Sequence, residues 1–165
     1  MRRAIFCALL ALILPLALAA CAGTDDSSGQ PESDAPALAA ADGEDLIINT
    51  ADITEKATFY PVESDGTRME VLAVKAPDGT IRTAFNTCQV CYDSGRGYYK
   101  QSGDKLVCQN CGNQFPMSSV EIETGGCNPW PIFDESKTVT DESITIPASF
   151  LKESKVIFGN WKRSY

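Results

Sequence analysis

The sequence predicts a mainly β domain: a small β-sandwich or partly closed barrel built around two metal-binding loops. Three observations carry this. Short runs of β-forming residues recur at close spacing, divided by turn residues. Only one short segment reads as a helix. Two Cys-x2-Cys pairs each follow a strand candidate, as a site made of two ligand loops requires.

The elements follow in order. Leu46 to Asn49 and Ala57 to Tyr60 are strand candidates. Thr67 to Lys75 is the clearest strand, with Met69, Val71 and Ala73 on one face. Pro77-Asp78-Gly79 turns the chain, and Thr80 to Phe85 returns it. Tyr98 to Gln101 and Lys105 to Val107 flank Ser102-Gly103-Asp104 as a hairpin. Ser143 to Ile146 and Val156 to Phe158 are the last strand candidates. Between them, Pro147 suits the first position of a helix through Leu151.

The segments ahead of this body have other roles. Residues 1–20 read as a lipoprotein signal peptide, with Met1-Arg2-Arg3 as the basic start and an uncharged run from Ala4 to Ala20. Leu18-Ala19-Ala20-Cys21 resembles a bacterial lipobox, in which Cys21 takes a lipid and cleavage falls before it. An ordinary signal peptide and a retained anchor are the alternatives. Residues 21–45 then form the lipidated Cys and an acidic tether. Ala22 to Asp45 has seven acidic residues and no Lys or Arg, and too little apolar surface to offset ordering. Residues 46–165 are the cysteine-rich, metal-binding domain. The expected location is the extracytoplasmic face of the cell membrane, with a lipid anchor.

Composition excludes several chemistries. The chain has 165 residues, no histidine and a net charge of -8. Without histidine there is no Ser-His-Asp triad, no Cys-His pair and no His-ligated metal. The acidic balance argues against nucleic acid as a partner. No acid/base pair, nucleophile motif or phosphate loop stands out, so no hydrolytic or group-transfer chemistry is expected.

Seven cysteines are the opposing signal. Cys7 lies in the signal run and Cys21 in the lipobox. Cys88, Cys91, Cys108, Cys111 and Cys127 remain, in the pattern C-x2-C-x16-C-x2-C-x15-C. A Cys-x2-Cys turn places two thiolates on one side of a tight loop, and two such loops give four sulfur ligands around one centre. Zinc, a [2Fe–2S] or [4Fe–4S] cluster, or disulfides fit that count. Cys127, between Gly125-Gly126 and Asn128-Pro129, is a fifth ligand, an alternative ligand, a redox-active thiol or a packed thiol in a turn. Tyr92, Tyr98, Tyr99 and Trp130 read as packing around this region. Met117 reads as filler, and Asp134-Glu135 and Asp141-Glu142 as solvated loop charges.

The stretch from Phe85 to Ile132 resembles the FtrD-like family of membrane-associated iron–sulfur proteins. The matching features are Cys88-x2-Cys91-Tyr92, Gly97-Tyr98, Gly103-Asp104, Val107-Cys108-x2-Cys111-Gly112, Phe115-Pro116 and Gly126-Cys127-Asn128-Pro129. The resemblance implies an iron–sulfur cofactor, with zinc as the alternative. It also implies electron transfer linked to ferrous-iron uptake, with a redox partner or an iron permease beside it. A more distant likeness is to Rieske-type domains. Cys88 matches the first Rieske cysteine, Cys111 stands where that family has His, and Cys91 departs in type and spacing. An all-thiolate centre would have a lower potential than the two-His form. The competing functions are a zinc-stapled binding module and a thiol-redox or metal-trafficking lipoprotein.

Overall fold

The structure is a computed structural model and describes residues 37–163. The signal peptide, Cys7 and Cys21 lie outside the described residues. Among the described residues, ten strands and one α-helix follow the order β1 (Leu46–Asn49), β2 (Thr58–Ser64), β3 (Thr67–Lys75), β4 (Ile81–Cys88), β5 (Tyr99–Ser102), β6 (Lys105–Cys108), β7 (Gln114–Pro116), β8 (Pro129–Pro131), β9 (Thr138–Val139), β10 (Ser143–Ile146) and α1 (Ala148–Ser154).

The strands form three antiparallel sheets, ordered β2-β3-β4-β8, β1-β10-β9 and β5-β6-β7. The fold is mainly β, as expected, and none of the three sheets closes into a barrel. The four-stranded sheet is the middle layer, because its inner strands are buried on both faces. Along β3, Met69, Val71 and Ala73 enter one core with Leu46, Ile48, Ile144, Ile146, Leu151 and Phe158. Leu72 and Val74 point the other way, into a second core with Tyr99, Leu106, Phe115 and Met117. The two-residue period of a strand thus sorts one sequence run into two cores.

That alternation sets up the site. On β4, Phe85 faces the first core, where it stacks on Phe150 and meets Phe158 edge-on. Ala84 and Cys88 face the second core. A register shift against β8 between Phe85 and Cys88 ends the regular pairing just where the first cysteine loop leaves the sheet.

Three features differ from the sequence expectation. Val156 to Phe158 is not a strand but part of a 3-10 turn over Lys155–Phe158, which continues from α1 and packs Ile157 and Phe158 into the first core. A short apolar run fits a buried turn as well as a strand. Strands β7, β8 and β9 lie where no strand is expected. The Pro-Trp-Pro of β8 is tolerated because β8 is an edge strand, where a missing N–H breaks no inner ladder. Part of the stretch expected as tether lies against β2: Ala40 is buried and bridges Val62, and Ala39 N–H donates to the Pro61 carbonyl at 2.6 Å.

Buried polar groups are paired. Lys137 Nζ donates to Glu121 Oε1 (2.6 Å), the Ile132 carbonyl (2.9 Å) and Thr83 Oγ1 (3.0 Å), tying β4 to the loops after β7 and β8.

Candidate metal centre

Three loops carry the five thiols, and the backbone shapes each of them. Cys88 ends β4, and its N–H donates to the Gly97 carbonyl at 2.7 Å, closing the first loop. Inside that loop, Cys91 N–H points at Cys88 Sγ at 3.3 Å. The Cys91 carbonyl accepts from the Ser94 N–H and hydroxyl. Gly97 is sterically required, since a Cβ there would stand 2.2 Å from the Cys91 carbonyl oxygen. The second loop repeats the device. Cys108 ends β6, its N–H donates to the Asn113 carbonyl at 2.9 Å, and Gly112, at φ 75°, donates its N–H to the Cys108 carbonyl.

The loops are fastened to one another. Gln109 N–H donates to the Tyr98 carbonyl at 2.8 Å, and Arg96 reaches the Gln109 carbonyl at 3.0 Å. The third loop, around Cys127, is held by the first through Gln89. Its N–H bonds the Asn128 carbonyl, its side-chain amide donates to the Pro129 carbonyl, and its side-chain oxygen accepts from the Gly125 N–H. The Cys127 carbonyl accepts from the Tyr99 hydroxyl (2.8 Å) and from Asn113 Nδ2 (3.0 Å). One carbonyl thereby joins the third loop to the hairpin β5–β6 and to the second loop.

These contacts bring all five sulfurs into one region. Cys88, Cys91 and Cys108 are buried and form a set whose Sγ atoms all lie within 4.8 Å of one another. Cys91, Cys111 and Cys127 form a second such set, with Cys111–Cys127 at 3.4 Å and Cys91–Cys127 at 3.9 Å. Cys111 is exposed and Cys127 half-buried, so the second set faces solvent. None of the five is in a disulfide. The four cysteines of the two pairs do not close into a single group. Cys127, from a separate loop, completes the second set instead.

The electrostatics describe a cage that calls for a cation. Burial pushes the Cys108 thiol up to about 12, with the neighbouring sulfur of Cys88 adding to it. Cys91 is raised chiefly by burial, and Cys127 chiefly by its contact with Cys111. At Cys88, burial raises the pKa, but the Tyr99 hydroxyl and the amides of Cys91 and Val90 outweigh it, so the thiol sits below its ordinary value. Cys111 is also lowered, mainly by the Asn113 amide. Five crowded sulfurs cannot all carry negative charge without a counter-charge. A bound metal ion supplies one, and binding it releases the protons. The donors are sulfur only, so the residues fit zinc or an iron–sulfur cluster and not calcium or magnesium.

Other residues fall where packing places them. Tyr92 meets Trp130 edge-on at 6.1 Å, and Tyr98 meets Trp161 at 6.4 Å. Met117 packs in the second core. The Asp134 side chain is 85% exposed and pairs weakly with Lys137 at 3.5 Å. The sequence reading placed Tyr99 in packing, with no hydrogen-bonding role at the thiols. It is 1% exposed, and its hydroxyl is a structural donor within the cage.

A mainly β fold with a cage of five thiols and no other donor defines a candidate thiolate metal site. A family model described as "Membrane iron-sulfur containing protein FtrD-like" matches residues 38–158. The chain belongs to this family of membrane iron–sulfur proteins. No curated protein and no solved structure matches at a significant level. Among the described residues, no helix is long and apolar enough to cross a membrane.

Proposed function

We propose that this protein is an exported, lipid-anchored iron–sulfur electron-transfer protein that works beside a ferrous-iron uptake system. The observation that supports it most is the cage itself: five sulfurs from three mutually bonded loops, with no nitrogen or oxygen ligand among them. Cys88, Cys91, Cys108, Cys111 and Cys127 are the candidate ligands. An iron–sulfur cluster held there would accept and release one electron at a time.

The chain's own residues serve that role in distinct ways. Cys88 and Cys108 sit at strand ends in the second core, which fixes them and keeps water away. The Cys91 N–H directed at Cys88 Sγ favours a negatively charged sulfur. Cys111 is the exposed sulfur, which gives a redox partner its nearest approach. Cys21 would carry the lipid, and the acidic residues after it would keep the domain off the anionic surface.

Two measurements test this reading. Full-length protein purified without oxygen should show a reversible one-electron step in a potentiometric titration followed by electron paramagnetic resonance. A redox-silent protein would refute electron transfer. In fractionated cells, Cys21→Ala should move the protein out of the membrane fraction, and an unchanged distribution would refute the lipid anchor.

A further inference from the structure

We infer that the cage holds two metal positions rather than one, an inner position between Cys88 and Cys108 and an outer position between Cys111 and Cys127, with Cys91 facing both. This deepens the functional proposal by assigning each sulfur of the same site, but it does not depend on the metal being iron.

The division follows from the distances. A tetrahedral ion bonded to thiolates at about 2.3 Å holds its sulfurs about 3.8 Å apart. One ion shared by the two Cys-x2-Cys pairs would therefore need Cys88, Cys91, Cys108 and Cys111 close to one another. They do not form one set: Cys88 groups with Cys91 and Cys108, and Cys111 with Cys91 and Cys127, while a side-chain contact between Cys108 and Cys111 joins the second pair across the two sets. The outer contacts of 3.4 and 3.9 Å already approach the edge length of a coordinated ion. Cys91 is the only sulfur common to both sets.

The surroundings divide the same way. Cys88 and Cys108 end strands of two different sheets, β4 and β6, and are 0% and 1% exposed, whereas Cys111 is exposed. Tyr99 and Asn113 donate to the Cys127 carbonyl and the Gly125 N–H of the same loop donates to Gln89 Oε1, so the position of Cys127 is built and not incidental. Cys127 is thereby an outer ligand in its own right, not a reserve for a four-cysteine site.

Cobalt(II) is the probe, because its thiolate bonds absorb in the near ultraviolet and can be counted without sulfide or iron. Reduced, metal-free, full-length protein is titrated with cobalt(II) in the absence of oxygen. Wild type should saturate at two equivalents. The double variant Cys111→Ser/Cys127→Ser changes only the outer sulfurs and should saturate at one, with thiolate absorption retained. Cys127→Ser alone should lose the tight second equivalent. A wild-type break at one equivalent would overturn the inference, as would a Cys127→Ser titration identical to wild type. The two proposals fail separately. Two cobalt ions in a protein that carries no iron from cells leave the two positions standing and remove the iron–sulfur reading. A brown iron protein with a single cobalt equivalent does the reverse.

Discussion

Replacing Gly97 by Ala puts the geometry of the cage under a defined load. The added Cβ would sit 2.2 Å from the Cys91 carbonyl oxygen, 2.4 Å from its carbon and 2.8 Å from the Tyr92 nitrogen. All three are backbone atoms, so no side chain can swing away. Real Cβ contacts essentially never fall under 3.0 Å, so the first loop must move by about 0.8 Å or more. Its anchor moves with it, because the Gly97 carbonyl holds the Cys88 N–H at 2.7 Å. Cys91 faces both sulfur sets, so one displacement disturbs both. Overpacking of this kind costs about 1–3 kcal/mol, and disturbed supporting contacts cost about 10–100-fold in metal affinity. The assay is paired: a urea unfolding midpoint for the metal-free protein and a competition titration for metal affinity. Gly97→Ala should lower both, and wild-type values in both would refute the steric reasoning. Gly79→Ala is the control. It has a positive φ of 86° but nothing within 4 Å of its Cβ, so any loss there should spare metal affinity.

Three further outcomes follow from the structure. Tyr99→Phe removes one of two donors to the Cys127 carbonyl and should cost about 1 kcal/mol in urea unfolding, with faster alkylation of the Cys127 thiol. Lys137→Met leaves the Glu121 carboxylate without its buried 2.6 Å partner and should destabilise by about 3–5 kcal/mol, while Lys137→Met/Glu121→Leu should recover much of that loss. Asp65 is bonded by Lys155 (2.5 Å) and Lys152 (3.4 Å), and chiefly the Lys155 bond holds its carboxyl below the ordinary value of 3.8. Its stabilising effect is thus complete above that value and lost as pH falls through the lower folded one. Protection of Ala148–Ser154 against hydrogen exchange, relative to the intrinsic rate at each pH, should therefore fall in acid, and less so in Asp65→Asn.

The sequence made the centre of the fold readable and left its margins obscure. β3 matches its expected span, Thr67 to Lys75, because one unbroken apolar run with β-branched residues fills both faces of an inner strand. β10 and α1 were legible for related reasons: an alternating run, then a proline at the helix start. β8 was not, since prolines at Pro129 and Pro131 argue against a strand until its edge position is known. Val156 to Phe158 misled because three apolar residues carry too little period to separate a strand from a buried turn.

The site divides along the same line. Cysteine spacing exposed the two paired loops, since their ligands are local in sequence. It could not show that the four paired thiols would fall into different sets, because that depends on how β4 and β6 end relative to each other. The partners of Cys127 lie 28 residues away at Tyr99 and 14 away at Asn113. No local pattern connects a hairpin tyrosine to a Gly-Gly-Cys loop. The odd cysteine count and the Gly-Gly-Cys-Asn-Pro frame pointed to Cys127 but not to these partners.

Metal and acid-labile sulfide analysis of the full-length protein, purified without oxygen and paired with its visible spectrum, tests the central claim most directly. An iron–sulfur centre in the thiol cage requires iron and sulfide in matching amounts and a brown colour that bleaches with dithionite. Colourless protein containing zinc, with neither iron nor sulfide, would contradict it.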